Sequence, residues 1–306
     1  MFFSKTPIVA LIKLSGIISP EGRIGSKNNL NLNDLSDSLT KAFSFKNVKA
    51  VAILVNSPGG SPVQSSLISN RIRELSLEKD MPVYCFIEDV AASGGYWLSC
   101  AADKIYAIES SIVGSIGVIS AGFGAVEAIK KIGIERRVYT EGKNKGMLDP
   151  FLPERKEDID QIKNIQKDLH EQFIGWIKKR RGKRIKVSDD VIFNAGIWSG
   201  RKAKELGLVD DIGDYYTIMK MKFGKNVKFK DFSKKQSWFK QKFFSNSRGD
   251  DMVESIIKYS GKSCNVVLIS DKSFSNSIKL DQFNPIQSIL IKFHPIYSNL
   301  IQLDQV

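Results

Sequence analysis

A chain of 306 residues with 42% hydrophobic and 26% charged residues has enough apolar content to bury a core, which excludes a disordered protein. Its three cysteines, Cys85, Cys100 and Cys264, are odd in number and far apart, which argues against a disulfide framework or a zinc site. The net charge of +13 suits an anionic partner, though where the charges fall matters more than their sum.

Met1 to Thr6 is too short for the charged region of a signal peptide, and the apolar run Ile8 to Ile18 is broken by Lys13. No stretch reaches the roughly 20 apolar residues of a membrane span. The expectation is a cytoplasmic or peripherally membrane-associated protein with neither signal peptide nor transmembrane anchor. Residues 7 to 18 read as a first strand and Pro20 to Asn31 as a polar loop. Asn33 reads as an N-cap for a helix whose apolar stripe is Leu35, Leu39, Ala42 and Phe43. Ala50 to Val55 is a continuous apolar run of strand length, suited to the centre of a parallel sheet.

That run ends in Asn56-Ser57-Pro58-Gly59-Gly60-Ser61-Pro62. A glycine pair at a strand's carboxyl end can turn bare backbone N–H groups toward a ligand oxygen. An ordinary Pro/Gly turn has the same composition. A helix with Ile68, Ile72 and Leu75 on one face follows, then a strand from Val83 to Ile87. Next comes Asp89-Val90-Ala91-Ala92-Ser93-Gly94-Gly95-Tyr96-Trp97, leading into a helix from Tyr96 to Ala102. Ser93 thus falls on a strand-to-helix turn among residues with almost no side chain. There a substrate backbone can approach, and helix N-terminal amides face a developing negative charge. An N-cap serine beside a glycine turn is the alternative.

Further strands are expected at Lys104–Ile108, Ser115–Ile119 and Ile134–Tyr139, and a helix at Ala125–Ile132. The alternation predicts an α/β fold with a mostly parallel sheet flanked by helices, whose ligands bind beyond the carboxyl ends of the strands. Thr140 to Phe151 is a loop holding Lys143 and Lys145. The only histidines are His170, in a charged helical context that reads as solvated, and His294, in the tail. A nucleophilic Ser93 would therefore turn to lysine for its base. On chemistry alone Lys143 and Lys145 are equal candidates, and either needs desolvation to lose its proton near pH 7. Met147, Leu148, Pro150 and Phe151 are apolar company for that purpose.

Five spaced motifs, covering roughly residues 7 to 224, resemble the bacterial signal peptide peptidase A family. These are serine–lysine peptidases of the Clp-protease/crotonase superfamily. The motifs are Asn56-Ser57-Pro58-Gly59-Gly60, Ala92-Ser93-Gly94-Gly95-Tyr96, Gly114-Ser115-Ile116-Gly117-Val118, the lysine loop ending in Asp149-Pro150-Phe151, and Trp198 to Asp210. The resemblance implies Ser93 as nucleophile and Lys145, rather than Lys143, as general base. It implies the backbone of Gly94 and Gly59-Gly60 as oxyanion hole, and a cleft near Ser57, Gly95, Tyr96 and Ser115. It implies cleavage of peptides, notably remnant signal peptides, through an acyl-enzyme, with no metal or cofactor. It also implies a homo-oligomeric ring or dome, in which the serine and lysine of one site come either from one subunit or from two neighbours. A crotonase-type acyl-CoA enzyme and a non-catalytic scaffold are the rival classes on this fold.

Residues 154 to 180 read as a long helix with Ile162, Ile165, Leu169, Phe173 and Trp176 on one face. Its end, Lys178 to Lys186, is a dense basic run that reads as solvated rather than as a nucleic-acid site. A helix from Arg201 to Leu206 ends at Gly207. The peptidase domain is expected over 1–224. In the remainder, 225–306, the stretch up to Lys242 interleaves lysines with aromatics, as at a peripheral contact with a membrane surface. Asn265–Ile269 and Ile286–Phe293 are short apolar runs.

Overall fold

The computed structural model describes residues 6–20 and 29–233, all within the unit Met1–Ser263. The expectations for Cys264, His294 and the runs at 265–269 and 286–293 lie outside these residues. In chain order the elements are β1 (Ile8–Ser15), β2 (Ile17–Ile18), β3 (Asn29–Leu30), α1 (Leu32–Ser44), β4 (Val48–Ser57), α2 (Pro62–Glu78), β5 (Val83–Ala92), α3 (Gly94–Ser99) and β6 (Lys104–Ala107). Then follow β7 (Ile112–Gly114), α4 (Val126–Lys131), α5 (Lys156–Arg181), α6 (Asp189–Ile192), β8 (Ile197–Ser199), α7 (Gly200–Leu206), β9 (Asp211–Ile212), α8 (Tyr215–Phe223) and β10 (Lys228–Asp231).

The main sheet runs β10-β1-β4-β5-β6-β9, with β7 paired to the end of β5 and β8 to β7. Every pairing is parallel except β7–β8. β4 is buried on both faces from Ala50 to Val55, which is why it reads as an unbroken apolar run rather than an alternating one. One face carries Ile12, Ile53, Val55 and Cys85 against Leu39 of α1, Ile68 and Ile72 of α2, Leu98 of α3 and Phe173 of α5. The other carries Val9, Leu11, Leu54, Phe86 and Tyr106, covered by Met219 of α8 and by Val227. Burial pushes the thiols of Cys85 and Cys100 up to about 12 and about 11, as suits small core residues.

Several expectations shift. The N-cap of α1 is Asn31, not Asn33: its side chain takes the Asp34 amide at 2.8 Å, so the helix begins at Leu32. Residues 115–119 are not a strand. The sheet pairing ends at Gly114, and Ser115, at φ +52°, turns the chain away. Ile134–Tyr139 is not a strand either: it is exposed throughout, and a strand needs a sheet edge to pair with. Beyond the expected boundary at Gly224, Lys228–Asp231 pairs with β1, whose outer edge would otherwise leave its backbone groups unpaired.

The basic run 178–186 is the largest departure. Arg180, Arg181 and Arg184 turn inward instead of into solvent. Arg180 donates to the carbonyls of Cys100 and Ala102 at 2.9 and 3.0 Å. Arg181 donates to Gly207 O and meets Asp210 at 2.7 Å, its side chain only 1% exposed. Arg184 reaches Asp103 O and Asp210. The carbonyls at 100–102 follow the end of α3, where backbone acceptors lack helical partners and cations are favoured.

Candidate active site

β5 does not stop at Ile87 but continues to Ala92, because β7 extends the sheet beside Val90–Ala92. Ser93 is the next residue. Its N–H donates to Gly114 O at 2.8 Å, and its carbonyl accepts from Tyr96 and Trp97 as α3 begins. Its backbone sits at φ +52°, ψ −122°. A residue with a side chain is uncommon there, and such strain persists only where its surroundings enforce it. Here β7 on one side and the buried α3 on the other do so. Ser93 is half-buried, and its Oγ has no hydrogen-bond partner among the described residues.

The Gly59-Gly60 turn lies directly against Ser93. A Cβ placed on Gly59 would stand 2.8 Å from Gly94 N and from Ser93 Cβ, so only hydrogen fits between the two turns. The N–H of Gly59 is already committed to Ser57 Oγ at 3.2 Å. Gly60, at φ +144°, bridges to Ile18 through its neighbours: Ile18 donates to Gly59 O and Ser61 to Ile18 O. Any side chain on Gly60 would collide with the Ile18 carbonyl. The amide of Gly60 lies 3.3 Å from the place a Gly94 Cβ would occupy, and the amides of both have no acceptor among the described residues.

The other expected cleft residues serve as support. Ser57 is fully buried, donating to Gly16 O at 2.7 Å, so it braces the glycine turn from beneath and does not line a cleft. Gly95 packs its α-carbon onto the Ser57 carbonyl. Tyr96 is fully buried and donates to Leu208 O at 2.7 Å, tying α3 to the loop after α7. Ser115 is half-buried beside Gly114 and donates its N–H to Gly196 O at 2.7 Å. Asn56, a member of the first glycine motif, links β4 to Asp89 on β5 through its side-chain amide at 2.7 Å, and its buried Oδ1 has no partner among the described residues. His170 is half-buried rather than solvated and donates to Ile116 O at 3.2 Å. A lone histidine on a charged helix gave no signal of that contact.

No hydrogen bond joins Lys145 to Ser93 among the described residues. Lys143 and Lys145 are both exposed, and among the described residues the Lys145 side chain makes no hydrogen bond or ion pair. Residues 131–145 are exposed throughout. No group of histidine, cysteine or acidic residues suited to a metal ion occurs among the described residues.

The sequence profile described as Peptidase family S49 matches residues 76–228, half of the chain, and contains Ser93, Lys145 and the whole of α5. The chain belongs to peptidase family S49. A relative in Enterococcus faecium named "Putative signal peptide peptidase SppA" is 32% identical over 207 residues, 66% of this S49 chain and 60% of that protein. A protein named Na(+)/H(+) antiporter NhaA, from Brucella abortus (strain 2308), is 47% identical over 222 residues, 72% of this chain and 30% of that protein. The S49 chain therefore accounts for less than two thirds of the length of either relative. Among solved structures, a mutant of the 1510-N membrane-bound stomatin-specific protease overlaps 74% of this chain and 97% of its own, at 15% identity and a TM-score of 0.46.

Proposed function

We propose that the chain is a serine endopeptidase that cleaves hydrophobic or unfolded peptides, remnant signal peptides among them, through an acyl-enzyme. The observation that carries this is Ser93: a free hydroxyl on a strained strand-to-helix turn, flanked by the unspent amides of Gly60 and Gly94. Lys145, neutral, takes the Ser93 proton as Oγ bonds to the scissile carbonyl carbon. The two amides hold the oxyanion. Collapse breaks the C–N bond, and the leaving amine takes its proton from the Lys145 ammonium. A water deprotonated by Lys145 then hydrolyses the ester and frees Ser93. The glycine turns at the carboxyl ends of β4 and β5 also support the Clp-protease/crotonase relationship.

A free lysine with pKa near ~10.4 is neutral only about once in a few thousand molecules at pH 7, so the base must be covered. In one copy Lys145 is exposed. So are Ile119, Phe123, Ile134 and Tyr139 on the same arm, at 78%, 59%, 55% and 90%. A second copy seated on this arm would cover both, which supports a homo-oligomeric ring or dome with Lys145 delivered to the Ser93 of a neighbour. Hydrolysis of an unfolded protein and a hydrophobic fluorogenic peptide tests the reading. Wild type should cleave both, while Ser93→Ala and Lys145→Ala, folded and assembled, should fall to background. Cleavage by Ser93→Ala at the wild-type rate would sink the assignment.

The name of the Brucella relative raises transport as another reading. That relative is matched over 30% of its length, and no helix of the described residues is long and apolar enough to cross a membrane. Peripheral contact with an anionic membrane surface has support of its own. From Tyr215 to Lys230 there are five lysines and no acid, beside Tyr216 and Met221 at 50% and 77% exposure. Each surface lysine contributes about 1 kcal/mol at an anionic bilayer, so Lys222→Glu/Lys228→Glu should weaken binding to phosphatidylserine vesicles roughly 30-fold or more. Equal flotation of the variant and wild type would count against this contact.

A further inference from the structure

α5 joins the two halves of the proposed dyad. Its middle and end hold the nucleophile's helix: Phe173 stacks on Trp97 with ring centroids 4.8 Å apart, and Trp176 Nε1 donates to Trp97 O at 3.1 Å. Arg180 takes the carbonyl of Cys100. One contact nearer the start, His170 holds Ile116, two residues from the Gly114 carbonyl that receives the Ser93 amide.

The first turn of α5 holds the lysine loop. Asp158 is 3% exposed, although the arm around it is open. Its Oδ2 accepts the Leu148 amide at 3.3 Å and Arg155 Nε at 3.0 Å, and its Oδ1 accepts the other arm of the Arg155 fork at 2.6 Å. Leu148 stands three residues after Lys145 at φ +56°, a left-handed conformation that leucine disfavours and that needs an outside hold. One residue on, Asp149 accepts both Arg136 nitrogens and the Phe151 amide. The Arg155 fork, followed by the Leu148 amide, keeps the Asp158 carboxyl below the usual range despite its burial, so it is a carboxylate in use.

We infer that Asp158 is the positioning residue of the general base: it pins the Lys145 loop, through Leu148, to the same helix that seats the Ser93 turn. This rests on the reading of Lys145 as base. A carboxylate is required because it offers two acceptor oxygens and no donor, enough for a guanidinium fork and an amide together. Asparagine keeps one acceptor and opposes the fork with its own N–H groups.

The test uses the full chain, with kcat and KM for a hydrophobic fluorogenic peptide followed across pH. Asp158→Ala should lower kcat roughly 100-fold, the scale of a misplacement of about 1 Å, with KM within about twofold. The rising limb of the pH–rate profile should move alkaline by about one pH unit, because a general base that leaves its covered place in the assembled site loses the desolvation that favours its neutral form. Asp158→Asn and Arg155→Gln should fall between Asp158→Ala and wild type. The Arg155 side chain is 44% exposed, so Arg155→Gln keeps the test usable if Asp158→Ala misfolds. Wild-type kcat in the alanine variant, or a loss of kcat with an unmoved limb, overturns the inference. Lys145→Ala, run alongside, separates the two readings. Activity surviving that substitution sinks the base assignment and the positioning role with it. An inert Lys145→Ala beside a fully active Asp158→Ala overturns the positioning role alone.

Discussion

Mixing Ser93→Ala protein with Lys145→Ala protein, each inert alone, should restore peptide hydrolysis. If each site takes its serine from one copy and its lysine from the next, an equal random mixture gives about one quarter of sites with both groups intact, as a head-to-tail interface requires. Each variant by itself should lose roughly 10⁴-fold or more in kcat, because members of a catalytic unit fail together. Against that background a quarter of wild-type activity is a gain of about 2,500-fold or more. The grounds are the exposure of Lys145 and the uncovered apolar arm. The mixture must be unfolded and refolded, or exchanged at low concentration, so that subunits reassort. A mixture as inert as its components, with mixed oligomers shown to form, would mean that the dyad closes within one copy.

Replacing Arg181 should have the largest effect on stability. Its guanidinium is essentially sealed and meets Asp210, 9% exposed, at 2.7 Å, together with the Gly207 carbonyl. Removing one member of a buried pair leaves the other uncompensated, so Arg181→Met should cost about 3–5 kcal/mol in denaturant unfolding. Arg181→Met/Asp210→Leu should recover only part of this, since Asp210 also accepts the Ile105 amide and pairs with Arg184. The loss should depend on pH in a definite direction. Burial pulls the Asp210 carboxyl upward, but Arg181, the Ile105 amide and Arg184 outweigh it and hold it below the usual range. A carboxyl lowered in the folded state stabilises above its unfolded value of about 3.9, and that contribution is lost as pH falls through the folded value. The gap between wild type and Arg181→Met should therefore be full at neutral pH and shrink below about pH 4. A gap of under 1 kcal/mol at pH 7 would show that Arg181 is not a structural keystone.

Much of the site's placement was legible because it rests on local chemistry. Ala92-Ser93-Gly94-Gly95 between an apolar run and a helix can hardly be other than a tight strand-to-helix turn. Gly59-Gly60 after the apolar run ending at Val55 marks a second turn at a neighbouring strand end, and a parallel sheet puts such ends side by side. What stayed hidden depends on partners remote in sequence. Ser57 and Tyr96 sit inside quoted motifs and look as exposed as their neighbours on paper. Their burial comes from Gly16 and Leu208, which no local pattern announces. The same holds for the division of labour between the two glycines, decided by which amide Ser57 Oγ occupies.

The sequence by itself determined the α/β alternation, the core stripes Leu35-Leu39-Phe43 and Ile68-Ile72-Leu75, and the positions of both glycine turns, because apolar periodicity and glycine's freedom act over a few residues. Only the tertiary structure decided the fate of charge and of strand-like segments. Lys178 to Lys186 has the composition of a solvated helix end, yet its three arginines are drawn inward by carbonyls and carboxylates from 78 to 81 residues earlier and 26 to 29 residues later. Ile134–Tyr139 has the composition of a strand, yet it stays outside the sheet. A charge is solvated or paired, and a strand forms or does not, according to what the rest of the chain places opposite it.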